Sequence, residues 1–174
     1  VGSEDVYKRQ GINKIADAVG STLGASGKTV IIENDYGDPH ITKDGVTVAN
    51  SILLQDPLEN LAVSMMKQAA QKTASVAGDG TTTSIVLTKA IIDSYYKLKG
   101  DDFSFRDIKS GINKFAKEVI KHITNKAVPV DAKMLHDVSI ISANNDIELG
   151  GMIAGAFESA GDNGIVTMET SPNN

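Results

Sequence analysis

One stretch of the sequence decides how the fold around it is interpreted: Ala77-Gly78-Asp79-Gly80-Thr81-Thr82-Thr83. Apolar residues recur at helical spacing on both sides of it, which predicts a tight turn between two helices. Its glycines let the backbone approach a ligand, and the free N–H groups that start the second helix favour an anion. The three hydroxyls add donors for phosphate, and Asp79 suits Mg²⁺ held against phosphate oxygens. The simpler alternative is a helix N-cap, which needs only one such side chain.

The helices around this turn have recognisable starts. Asp56 is predicted to cap the preceding helix, with Pro57 at the first helical position and Glu59 reaching back to the cap. The helix that starts at Thr81 is apolar nearly all round, which predicts that it is buried. A turn at residues 100–102 leads to a capping box that begins at Ser104 and opens a third long helix. That helix is predicted to bury one stripe of side chains: Ile108, Ile112, Phe115, Val119 and Ile123.

The segment before these helices predicts a helix followed by a small hairpin. Apolar residues from Ile12 to Leu23 recur at helical spacing, and Gly20 or Gly24 ends the helix. Residues 29–33 and 40–43 are predicted to be strands on either side of a turn at residues 34–39. The pattern of Val46-Thr47-Val48 fits either a strand or a short helix.

The character of the chain changes after Pro129. A short helix at residues 132–138, a helix near 151–160 and a strand at 165–168 are predicted there. The chain is therefore expected to be mainly α with a small β component, with a domain junction near residues 125–130.

Two further stretches can carry chemistry. Residues 22–29 come one residue short of a Walker A pattern, but a helix precedes them and a strand follows, which is the reverse of a P-loop. In Ile41-Thr42-Lys43-Asp44-Gly45, Asp44 could orient an attacking water near a metal–phosphate site. The alternatives are a flexible link for the first stretch and a plain Asp-Gly turn for the second.

Composition excludes several classes of function. The 174 residues carry a formal net charge of -5, which argues against nucleic-acid binding because phosphate contacts need a positive field. With no cysteine and three scattered histidines, disulfides and thiolate metal sites are excluded and a zinc site is disfavoured. No apolar run approaches the roughly 20 residues that span a membrane. The cysteine-free composition fits a reducing compartment.

Taken in order, four segments closely resemble the group I (GroEL-like) chaperonins: residues 22–24, 41–46, 77–83 and 141–144. The resemblance runs from Gly11 to about Thr170. It implies an equatorial-domain-like helical bundle with a β-hairpin over residues 11–127. Part of an α/β intermediate domain would follow at 128–174, and the apical domain would be absent. Residues 1–10 are expected to be an unmatched leader.

The resemblance also implies a site for ATP, Mg²⁺ and possibly K⁺. Asp79 would bind Mg²⁺ and Asp44 would position the hydrolytic water. The remaining roles belong to groups of residues. Phosphate and loop contacts would come from Thr22, Leu23, Gly24, Gly45, Gly80, Thr81, Thr82 and Thr83, the adenine contact from Ile141, and K⁺ ligands from Thr22, Lys43 and Thr82.

The implied function is that of an ATP-driven protein-folding subunit. Its homo-oligomeric ring would meet unfolded clients and a co-chaperonin through the apical domain, and neither nucleic acid nor membrane is an expected partner. The loop after Gly24 departs from the family's usual Pro and basic residue, since Ala25 and Ser26 stand there. Because the family's second catalytic carboxylate lies in a later segment, little hydrolysis is expected from this chain. The alternatives are a non-hydrolysing assembly or interaction fragment and, less favoured, a P-loop NTPase.

Overall fold

The computed structural model describes residues 2–24, 26–34, 37–98, 103–161 and 163–169. Ala25, the middle of the predicted turn at 34–39 and the predicted turn at 100–102 lie outside these ranges. The elements follow in chain order: α1 (Ser3–Gly20), β1 (Val30–Ile32), β2 (His40–Thr42), α2 (Gly45–Ser51), α3 (Pro57–Ala77), α4 (Thr81–Leu98), α5 (Phe105–Lys126), α6 (Ala132–Ser142) and α7 (Ile147–Ala160).

The predicted fold class is confirmed, because the described chain is mainly helical with one small sheet. Strands β1 and β2 form the predicted hairpin, pairing antiparallel with Ile31 opposite Ile41. The ambiguous segment at residues 46–48 is helical and belongs to α2.

The chain forms two compact units, residues 1–109 and 110–174, and the boundary between them falls inside α5. In the first unit, α1 packs against α3 and α4, and α2 packs against α1. The core is small and aliphatic, as the scarcity of aromatic residues predicts. It consists of Ile15, Ala16, Val19, Val48, Ala49, Val63, Met66, Ala70 and Ile85.

Helices α1 and α3 approach each other very closely. A Cβ at Gly11 of α1 would overlap the backbone carbonyl of Glu59 in α3. Glu59 is buried and accepts a hydrogen bond from Lys14 Nζ at 2.5 Å. The predicted reach of Glu59 back to the cap of α3 is therefore wrong, because its carboxylate pairs with α1 instead.

In the second unit, α6 and α7 pack closely against each other. A Cβ at Gly150 would lie 2.5 Å from Ile140 Cα, so only glycine allows the two helices this distance. The turn between them places Asn144 and Asn145 at positive φ, 57° and 66°, where asparagine is tolerated better than most residues. Asp146 then caps α7 by accepting from Leu149 N–H.

Local start and stop signals are confirmed. Asp56 caps α3 by accepting from Leu58 and Glu59 N–H, and Pro57 occupies the first turn. The box at the start of α5 also forms: Asp107 N–H donates to Ser104 Oγ, and Ser104 N–H donates to Asp107 Oδ2. These signals depend on neighbours three residues apart, so no tertiary contact is needed to specify them.

Other predictions are corrected. Helix α1 begins at Ser3, so residues 3–10 are helical although they show no apolar periodicity. Two expectations stay predictions: that residues 1–10 are a leader, and that a domain junction lies near residues 125–130. Helix α4 is not buried throughout, since Leu87 is 57% exposed. None of the described side chains of α5 is buried, and Phe115 is 71% exposed. Residues 165–168 form no strand.

Candidate functional site

The turn between α3 and α4 has the geometry that its glycines predict. Gly78 ends α3 in the left-handed conformation with φ 77°, and Gly80 follows with φ 95°. A side chain would be strained at both positions. Asp79 between them is exposed, and its carboxylate accepts a hydrogen bond from Gly80 N–H at 2.5 Å.

The start of α4 differs from that of most other helices in the described chain. Asp44, Asp56, Asp131 and Asp146 each cap the helix that follows them. Asp79 does not, because its carboxylate binds the adjacent N–H rather than one in the first turn of α4. Asp79 is therefore not the side-chain cap of α4, and Gly80, whose carbonyl accepts from Ser84 N–H, immediately precedes the helix. The first-turn N–H groups, which no helix can satisfy internally, donate to no side chain within the described residues and favour an anion.

Thr81 supplies a second, independent observation at this helix end. The residue is 6% exposed. Its Oγ1 is buried and has no hydrogen-bond partner within the described part of the chain. A buried hydroxyl without a partner costs roughly 1–3 kcal/mol, so a ligand that satisfied it would recover that free energy.

Three separate segments converge beside α4. A Cβ at Gly45, the first residue of α2, would overlap Thr82 Oγ1 and would lie 3.3 Å from Thr22 Oγ1. Gly45 is buried there. The loop after α1, the start of α2 and the start of α4 therefore meet at one point, with the hydroxyls of Thr22 and Thr82 facing the same small space.

Asp44 lies next to this point and caps α2. Its carboxylate accepts from Val46 N–H at 3.3 Å, Thr47 N–H at 2.9 Å and Thr47 Oγ1 at 2.6 Å. Partial burial acts to raise the pKa of Asp44, but hydrogen bonds from Thr47 and Val46 outweigh it and hold that pKa below its ordinary value. Thr47 was missed by the sequence reasoning, although its position three residues after an aspartate is typical of a cap partner.

The loop after α1 uses much of its own hydrogen-bonding capacity. Thr22 Oγ1 donates to Val19 O at 2.7 Å, and the N–H groups of Thr22 and Leu23 donate to the last turn of α1. Gly24 has φ 77°, and a Cβ at Gly27 would overlap Thr22 O. The N–H groups of Thr22 and Leu23 are thus committed to the helix end. The P-loop alternative is wrong, because α1 precedes this loop and β1 follows it.

Three further predicted site residues have exposed side chains. Lys43 is exposed between β2 and α2. Ile141 lies on α6 in the second unit, where it is 70% exposed. Thr83, on the first turn of α4, is also exposed.

The residues present fit a magnesium–phosphate group better than a metal held by protein alone. Within the described ranges, no group of three or more His, Asp or Glu side chains could hold an ion. Asp79 could therefore supply one ligand, while phosphate oxygens supply others and occupy the uncapped start of α4. The described helices also include none long and apolar enough to cross a membrane.

Comparison with known proteins gives consistent results. Residues 15–171 match the TCP-1/cpn60 chaperonin family. The chain is 43% identical over 159 residues to chaperonin 60 subunit beta 1, chloroplastic, of Arabidopsis thaliana, which covers 91% of this chain and 26% of that protein.

Comparison with solved structures also finds chaperonins. Two crystal forms of the chaperonin gp146 from bacteriophage EL 2 (Pseudomonas aeruginosa), solved in the presence of ATP-BeFx, match with TM-scores of 0.76 and 0.77. Both are 32% identical and cover 91% of this chain and 28% of that chain. The chain thus spans little more than a quarter of the length of these relatives.

Proposed function

The chain belongs to the TCP-1/cpn60 chaperonin family, and from that membership we propose that it carries the magnesium–phosphate part of the nucleotide site of an ATP-dependent protein-folding subunit. The observation that carries this proposal is the convergence of Thr22, Gly45 and Thr82 beside the uncapped start of α4. The Thr81 hydroxyl, buried and without a partner among the described residues, gives the site a donor that phosphate would satisfy.

The proposed roles follow the positions of the side chains. The first-turn N–H groups and hydroxyls of residues 81–83 hold phosphate oxygens, because the helix start favours negative charge. Asp79 holds Mg²⁺, which would neutralise charge on the phosphates when bound. Thr22, Lys43 and Thr82 are proposed ligands of K⁺, and Asp44 orients water. Ile141 is proposed to contact adenine on the family resemblance alone.

The experiment that tests this proposal is calorimetric titration of the chain with Mg-ATP and Mg-ADP. Asp79→Ala is expected to abolish magnesium-dependent binding, because it removes the carboxylate that faces the metal. Asp137→Ala removes an exposed carboxylate of α6 and is expected to leave binding unchanged. Wild-type affinity in the Asp79 variant would contradict the assignment.

Removal of the metal provides a second test on the wild-type chain. Chelation of Mg²⁺ by EDTA is expected to weaken ATP binding strongly, because Asp79 then repels unneutralised phosphate across the turn. If ATP bound equally well with and without EDTA, the phosphates would be held without the metal and the role of Asp79 would be wrong.

The wider activity belongs to the same proposal. We propose a homo-oligomeric ring that refolds unfolded proteins with a co-chaperonin, in the cytoplasm of a bacterial or phage-infected cell, or alternatively in an organellar matrix. The exposed apolar side chains of α5, such as Phe115 and Ile123, favour an assembly surface as a second function of this chain. A chain that assembles but binds no nucleotide would support the second function alone.

A further inference from the structure

Lys67 of α3 reaches across to the end of a neighbouring helix. Its Nζ donates to Asn50 O at 3.1 Å and to Ile52 O at 2.7 Å, at the C-terminal end of α2. Its ammonium pairs with no carboxylate in the described part of the chain; burial alone lowers the pKa of Lys67. Burying part of an ammonium group costs free energy. The two hydrogen bonds to carbonyl oxygens offset that cost.

Helix α2 needs such a partner. It has only seven residues, and an isolated helix of this length does not form in water. Its last turn contains no basic residue, and its C-cap, Ile52, is extended. The last carbonyls of a helix carry partial negative charge, so a cation placed there stabilises the helix. Lys67 supplies that cation from a different helix.

The opposite end of α2 carries residues of the candidate site. Asp44 caps that end, and Gly45 faces Thr22 and Thr82. Between the two ends, Val48 and Ala49 are buried in the core. A helix held at its centre by two small side chains can still tilt or fray unless its ends are fixed. Asp44 fixes the N-terminal end through local hydrogen bonds, and Lys67 ties the C-terminal end to α3.

We propose that Lys67 is a positioning residue that fixes the axis of α2 and thereby the placement of Asp44 and Gly45 beside α4. Its relevance to catalysis rests on the proposed function. The mechanical role can be tested without nucleotide, so failure of either inference can be recognised separately.

The test compares Lys67→Met with Lys72→Met by NMR of the intact chain. Both lysines lie on α3, but Lys72 is exposed. In Lys67→Met, the amide resonances of Val46 and Thr47, which donate to Asp44, are expected to shift although they lie at the far end of α2. Hydrogen exchange of the α2 amides is expected to speed up on the order of tenfold, as for loss of hydrogen bonds from a charged group. The amide resonances of Val63 and Ile85 are expected to keep their wild-type chemical shifts. Lys67→Arg is expected to give the wild-type spectrum.

Unchanged Val46 and Thr47 resonances in Lys67→Met would overturn the proposal. So would a uniform loss of protection across α1, α3 and α4, since that indicates a general loss of stability. If Lys67→Met does not fold, Lys67→Gln keeps one donor and is judged by the same resonances. A titration with Mg-ADP then separates the two inferences: shifted α2 resonances with no nucleotide binding in wild type would retain the positioning role and reject the proposed function.

Discussion

The absence of a side chain at Gly45 sets the geometry of the site. A methyl group there would overlap Thr82 Oγ1 and crowd Thr22 Oγ1. Gly45 has an ordinary helical position and is not among the residues with positive φ. The requirement for glycine is therefore one of space between three segments.

Gly45→Ala is expected to abolish or greatly weaken nucleotide binding at a small cost in stability. Overpacking costs about 1–3 kcal/mol, but Thr82 can rotate and alanine stabilises a helix by about 0.5–1 kcal/mol relative to glycine. The net destabilisation should therefore be about 1 kcal/mol, measured by urea unfolding beside calorimetry. Gly155→Ala, with open space around its Cβ, should stabilise the chain slightly and leave binding unchanged. Wild-type nucleotide affinity in Gly45→Ala would mean that Thr82 is not in the site.

A cluster of charged side chains links α1 to α4 and makes stability depend on pH. Asp93 accepts from Lys89 Nζ at 2.8 Å and lies 3.4 Å from the Arg9 guanidinium. The hydrogen bond from Lys89 lowers the pKa of Asp93, and the same bond raises the pKa of Lys89. Stability from the lowered carboxyl pKa is present above about pH 4 and is lost as the pH falls through the folded value. Stability from the raised lysine pKa is present below about pH 10 and is lost above the folded value.

Asp93→Asn is therefore expected to lower the unfolding free energy by at most about 1 kcal/mol at pH 7, as is usual for partly exposed ion pairs. The difference from wild type should shrink as the pH falls below 4. Urea midpoints between pH 2.5 and 7 measure both effects. A constant difference across that range would show that the pair with Lys89 does not stabilise the fold.

At the scale of elements, the crossing of α1 and α3 depends on a missing side chain. Gly11→Ala places a Cβ against the backbone of Glu59, which cannot rotate away as Thr82 can. Helix α1 must then move, and the ion pair between exposed Lys14 and buried Glu59 moves with it. We expect the unfolding free energy measured in urea to fall by about 3 kcal/mol, because the overlap is with backbone. Gly20→Ala is the control on the same helix, because its Cβ would meet only the Val86 side chain at 3.4 Å. Equal stabilities of the two variants would contradict the close crossing.

Elements were predictable from the sequence where the signal was local. Asp56 followed by Pro57, and Gly78 at the end of α3, fix helix ends through groups within a few residues of each other. Burial was predicted less well. An apolar stripe indicates which side chains would gain from burial, but it does not indicate which element covers them. Thus Ile112 and Ile123 of α5 follow the predicted stripe, yet they are 39% and 61% exposed.

At the scale of the whole molecule, the site combines segments that sequence alone does not bring together. Asp79 and Thr81 are adjacent to a helix start, so their chemistry could be predicted from their surroundings. That Thr22 and Thr82 face Gly45 was expected only from the family resemblance, since nothing local links those residues. Lys67 was missed entirely, because a lysine on the polar side of a helix gives no signal that its ammonium reaches carbonyls of another helix.

The hydrogen bonds of Asp44 limit catalysis by this chain. Both carboxylate oxygens of Asp44 are already engaged by Val46 and Thr47. Since these bonds also hold the pKa of Asp44 below its ordinary value, the carboxylate is a weak base, so its proposed role is to orient water and not to take a proton from it. Binding of Mg-ATP is therefore expected without appreciable turnover: phosphate release should match that of Asp44→Asn and of Asp79→Ala. Steady-state turnover comparable to that of an intact chaperonin would mean that Asp44 leaves its cap when nucleotide binds, so the α2 amide resonances should then change on addition of Mg-ATP.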